Sequence, residues 1–236
     1  MARTPEGTQL TNLHRRQQLA LRAATIKDIV RLYPMWNLDD PASYERFVKA
    51  VTLLVQARAT NSAALAARYY QLFKAADLGV IAAVVPLAKV PPAEQIAVSV
   101  AATARAGTYR ALGAGMARDA ALANGLVQVS GSASRLAMNS GRDTILEAVQ
   151  SDPQAVGWIR EGSGNTCSFC AMLLSRGPVY KEESADFQSH DHCGCFASPV
   201  YEGAAWPENN RRLRELWETE GGSLNTFRQA LAKQAS

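Results

Sequence analysis

Cysteine and histidine are scarce in this chain, with four and three copies in 236 residues. Outside residues 167–195 there is no cysteine, and His14 is the one histidine. A serine or cysteine nucleophile would therefore find its base only at His190 or His192, because the periodicity around His14 predicts a surface helix. Long apolar runs are missing too. The most apolar, Leu78 to Ala88, is about half of what a bilayer requires and contains Pro86, so it reads as buried core or contact surface with no membrane anchor. No signal peptide is read at the start, so reduced thiols are expected. Basic clusters are missing as well, none being longer than Arg15-Arg16. Repeats and low-complexity segments are absent.

What is present is a globular composition, 47% hydrophobic with a mean hydropathy of -0.13 and a net charge of +4. The charge is uneven. Residues 1–150 hold 17 Lys and Arg against 10 Asp and Glu, net +7, and residues 151–236 hold 8 against 11, net -3. The basic half could face nucleic acid or an acidic protein surface, but its arginines are spread singly (Arg58, Arg68, Arg105, Arg110, Arg118), as on a solvated helix face.

The hydrophobic spacing predicts a mainly α fold: a flexible arm over 1–9, a helical domain over 10–152, a small α+β zinc-knuckle lobe over 153–204 and C-terminal helices over 205–236. Helix one runs from Leu10 to Pro34. Asp39-Asp40-Pro41 then gives a cap and a proline at the first helical position, opening a long helix that Gly79 ends. Pro92 opens a third, Ala-rich region in which Gly107, Gly113 and Gly115 imply close backbone approach or a kink. An amphipathic helix is expected from Ser132 to Val149. Short strands are read at 155–160, 178–180 and 196–201, a short helix at 169–175, a helix after Trp206-Pro207, and a last one capped by Ser223.

The chemistry concentrates in Cys167-Ser-Phe-Cys170 and His190-Asp-His-Cys-Gly-Cys195. A Cys-x-x-Cys turn presents two thiolates to adjacent corners of a zinc tetrahedron, and the second group about twenty residues later supplies the others. A dithiol redox motif would instead sit between strand and helix of an α/β unit, which the helical upstream half does not offer. Spacing leaves six candidates for four places, since His190 and Cys193, His192 and Cys195, and Cys193 with Cys195 each form a plausible pair. Thiolate-rich sets fill all positions and make a poor Lewis acid, which favours a structural ion over a catalytic one. Asp191, Glu182, Glu183 and Asp186 are the nearby acids. Asp191-His192 resembles part of a His-Asn-His nuclease, but no histidine follows His192. The loop over 181–192 is acidic, unlike nucleic-acid-binding zinc knuckles.

The stretch from Gly157-Trp-Ile-Arg through Cys167-Ser-Phe-Cys170 to Val179-Tyr180, with His190-Asp-His-Cys-Gly-Cys195 and Pro199-Val-Tyr201, resembles the minor head proteins of tailed phages of actinobacteria, in the wider family of the phage Mu F and SPP1 head-morphogenesis proteins. On that match Cys167, Cys170, His190, Cys193 and Cys195 take the metal positions and His192 falls on a variable one, while Asp191 and Gly194 depart from the family's Pro and Arg. The resemblance implies a virion protein with a structural zinc, made in the host cytoplasm and placed in the head interior or portal region. It implies the portal or major capsid protein as partner, and the charge asymmetry makes the basic helical half the candidate for contact with packaged DNA. The thiolate-rich donor set favours no enzyme, the alternative being a head-maturation protease or metal-dependent nuclease.

Overall fold

The computed structural model describes residues 3–81, 83–162, 166–181 and 186–235. It is mainly α-helical with a small lobe built on a three-stranded sheet. Residues 163–165 and the acids Glu182 and Glu183 lie outside the described residues.

Helix α1 (Pro5–Leu32) begins earlier than the periodicity suggests, because Thr4 caps it by accepting from the Gly7 amide at 2.9 Å and Pro5 takes the first position. Helix α2 (Pro41–Leu78) starts on Asp40, whose carboxylate accepts from the Ala42 amide, and stops at Gly79 with φ 68°. Only glycine takes that left-handed conformation at no steric cost. Cross-links fix α1 and α2 as antiparallel neighbours: Arg58 to Asp28 at 2.6 Å, Gln18 to Ser62, and Thr11 to Tyr69.

The Ala-rich region divides into α3 (Ala93–Val100), a π-helical turn over 101–105, and α4 (Ala106–Gly113), after which Gly115 at φ 83° redirects the chain. Helix α5 (Arg118–Ser151) is much longer than the segment expected from Ser132. Its first turns look weak by propensity, with Gly125 and Gly131 inside them. Burial outweighs that weakness, since most of the helix from Val129 onward is enclosed by α1, α2 and the lobe.

Strand β1 (Ala155–Glu161) is central, with β2 (Pro178–Tyr180) and β3 (Phe196–Tyr201) antiparallel on either side. Helix α6 (Ser168–Ser175) bridges β1 and β2, and α7 (Glu208–Leu216) and α8 (Leu224–Ala235) follow. β3 is buried along its whole length. His14, expected on a surface, is instead 2% exposed: its ring stacks on Tyr69 at 4.4 Å and meets the edge of Phe196 on β3 at 5.3 Å.

Two apolar clusters result. One lies among the helices (Ile29, Phe47, Val51, Ile96, Val129, Leu136). The other joins the far ends of α2 and α5 to the sheet, α6 and the C-terminal helices, and it contains Tyr69, Phe73, Ile145, Trp158, Leu174 and Phe227 together with Cys170, Cys193 and Cys195. Much of the apolar run after α2 faces solvent, with Ile81 91% and Val84 87% exposed, while Val85 packs against the core and the Ala88 amide donates to Thr144.

Candidate metal centre

Cys167 is the N-cap of α6, its sulfur accepting from the Cys170 amide at 3.4 Å. One turn of helix therefore sets both sulfurs on one side, at an end where backbone N–H groups favour a thiolate. The second group comes from a tight turn in which the Cys193 amide donates to the His190 carbonyl at 3.1 Å and His192 sits at φ 63°. That left-handed residue turns the chain back on itself between His190 and Cys193.

His190 Nε2 lies 3.1 Å from Cys167 Sγ and 3.2 Å from Cys170 Sγ, and Cys170 Sγ lies 3.6 Å from Cys193 Sγ. The donor atoms form two overlapping triads, Cys167–Cys170–His190 and Cys170–Cys193–Cys195, with all atoms of each within 4.8 Å. Cys170 belongs to both. Metal–sulfur bonds of about 2.3 Å in a tetrahedron place sulfurs about 3.8 Å apart, so the Cys170–Cys193 separation matches such a site. His190 Nδ1 faces the Asp191 carbonyl at 2.6 Å. A proton there leaves Nε2 as a bare lone pair aimed at the sulfurs, the tautomer a metal requires.

All four cysteines are free thiols. Hydrogen bonds from Cys170 and Cys195, helped by the Arg142 charge, hold the Cys193 thiol far below its ordinary value. Cys170 is driven up by those same bonds to Cys193 and Cys195 and by burial. At Cys195 the bond to Cys170 lowers the pKa, but the bond to Cys193 and burial prevail and push it up to about 11. A divalent ion would offset the repulsion among neighbouring thiolates and favour their ionisation. The donor set thus fits a metal ion on geometry, tautomer and charge.

His192 belongs to neither triad. Its ring lies on the backbone of Gly131 in α5, where a Cβ would collide with it. Asp191 is bound by Arg135 at 2.8 Å. Asp186, the other described acid, is exposed.

Sequence reasoning expected a helix here but missed the polar face that carries these contacts. Arg135, Asn139 and Arg142 recur along one face of α5 and reach Asp191, Ser189 and the Cys193–Cys195 backbone respectively. Three polar residues at steps of four and three amid Leu136, Ala137, Met138 and Ile145 were the available signal. Arg160 of β1 adds a guanidinium 3.7 Å over the Phe187 ring and donates to the Gln188 carbonyl at 2.6 Å.

A helical bundle in which α5 clamps a Cys/His metal-type turn defines the class. The VG15 protein family matches residues 5–220, and the chain belongs to that family. Among its relatives are the Gene 15 protein of Mycobacterium phage D29, 29% identical over 35% of this chain and 43% of that protein, and the Gene 15 protein of Mycobacterium phage L5, 34% identical over 38% and 29%. The matches thus span less than half of either relative's length. No solved structure matches the chain. Among the described residues no helix is long and apolar enough to cross a membrane.

Proposed function

We propose that this chain is a minor head component of a tailed phage, placed at the portal or inner capsid, whose Cys/His centre holds a structural zinc and does no chemistry. The observation that carries the reading is the burial of Cys170, Cys193 and Cys195 inside the cluster that joins the helices to the lobe, in a chain whose family includes phage gene products. An ion there stabilises the join between bundle and lobe. Support for a non-catalytic ion comes from the nearby acid and histidine: Asp191 is held by Arg135, and His192 rests on Gly131. The site offers more thiolates than an open, water-activating zinc uses.

The partner surface in this reading is the exposed run around Ile81 and Val84, where apolar side chains stand in solvent at the end of α2. The arginines steer more than they bind, since Arg58, Arg46 and Arg118 are paired with Asp28, Asp40 and Asp39. Co-sedimentation of the purified chain with the portal oligomer encoded by the same genome tests this. Binding is expected for the wild type and is weakened at least tenfold by Ile81→Asp with Val84→Asp. Absence of the chain from purified virions, or cleavage of capsid precursor or DNA that Asp191→Ala abolishes without loss of metal, would overturn the reading.

A further inference from the structure

We propose that Arg142 is the positioning residue of the metal centre, a buried fork from α5 that fixes the spacing of the Cys193 and Cys195 thiolates and supplies the counter-charge to the loaded site. The inference rests on the metal reading above. Arg142 is 2% exposed, and each of its three nitrogens is used. Nε donates to the Cys195 carbonyl at 3.0 Å, one terminal nitrogen to the Cys193 carbonyl at 3.0 Å, and the other to Asn139 Oδ1 at 2.7 Å. The two carbonyls flank Gly194, the most pliable link in the turn. Holding both at once fixes the backbone between two donors that a metal needs at one separation.

Charge points the same way. Among the described residues no carboxylate pairs with Arg142. A buried cation without a paired counter-ion is unfavourable, and the negative charge that can face it comes from the sulfurs of the centre and from Asp143. In a four-coordinate site made of the His190 imidazole and three of the four thiolates, a divalent ion leaves a net charge of -1, which one guanidinium cancels. The cation also stands 5.0 Å over the Phe187 ring, whose other contacts include Arg160 and Trp158. Lysine cannot reproduce this arrangement, because a single ammonium cannot span two carbonyls and a side-chain amide in one plane.

The test uses the full chain in three forms: wild type, Arg142→Lys, which keeps charge and loses the fork, and Arg142→Met, which loses both. Each is loaded with zinc and its transfer to a chromogenic chelator timed, then loaded with Co2+ to read the thiolate charge-transfer and ligand-field bands. Far-UV circular dichroism checks helix content. Metal release about 10- to 100-fold faster in Arg142→Lys, faster again in Arg142→Met, and shifted Co2+ bands at unchanged helicity are expected. Should Arg142→Met fail to fold, Arg142→Lys decides alone. Release within twofold of wild type with identical bands overturns the role of Arg142 and leaves the metal reading standing. A wild type that takes up neither ion overturns both.

Discussion

His14 shows how a single ring can set the acid limit of the protein. It is enclosed by Tyr69 and Phe196, its Nδ1 has no hydrogen-bond partner among the described residues, and burial depresses its pKa to about 3. Because the folded value lies below the unfolded one near 6.5, the unfolded chain binds the extra proton first. The stability this neutral ring contributes is therefore complete above about pH 6.5 and is lost as pH falls toward 3, at up to about 1.4 kcal/mol per pH unit. Urea unfolding at pH 6.5, 5.5 and 4.5 should show that slope in the wild type and a shallower one in His14→Phe. Equal slopes in the two proteins would remove His14 as the cause. Lys74 and Asp152 form a second buried point of stress, with the ammonium 2.8 Å from both carboxylate oxygens and Tyr70 donating to one of them. Lys74→Met leaves that carboxylate uncompensated, and a loss of about 3 kcal/mol or more in unfolding free energy is expected. A loss below about 1 kcal/mol by denaturant titration would show that water reaches the pair.

At the scale of elements, α5 joins the bundle to the metal-type turn, and its glycines mark the contacts. Gly131 is where the His192 ring touches the helix backbone, so a methyl there must push the turn or the helix aside. Gly131→Ala should cost about 1–3 kcal/mol. Most of that should return in Gly131→Ala with His192→Gly, which removes the ring and relaxes the residue at φ 63°. Thermal melts of the four proteins form a double-mutant cycle; additive losses would mean the two residues do not touch. The same helix explains what could be read from the sequence. Caps and stops were legible because they are local: Asp40-Pro41, Gly79 and Ser223 act on the turn beside them. So were the three strands, bounded by glycine, proline and the cysteine groups. The start of α5 was not legible, since Gly125 and Gly131 lower local helix propensity and only partners distant in sequence repay it. The burial of His14 follows from β3 arriving beside α1, some 180 residues later in the chain. The donors of the candidate site were visible as a cluster, whereas Arg142, which holds their backbone, looked like any arginine on a helix.

Over the whole molecule the two apolar clusters make different demands on a metal. The helical cluster around Ile29, Phe47 and Val129 contains no donor residue, while the cluster around Phe73, Ile145 and Trp158 has three of the cysteines in its wall. A small lobe with a three-stranded sheet has little core of its own, so an ion bound there, as proposed, would be coupled to folding. Because that lobe shares its core with the ends of α2 and α5, loss of the ion should loosen those ends as well, and the effect should stop where the second cluster begins. Hydrogen exchange before and after chelation tests the boundary. Faster exchange is expected in β3, α6, Tyr69 to Phe73 and Ile145 to Val149, with amides around Phe47 to Val55 and Val129 unchanged. Cys167→Ser with Cys170→Ser should reproduce the pattern without chelator. Loosening confined to residues 155–201 would mean the lobe folds and unfolds apart from the bundle, and loosening that reached Phe47 would mean the two clusters act as one cooperative unit.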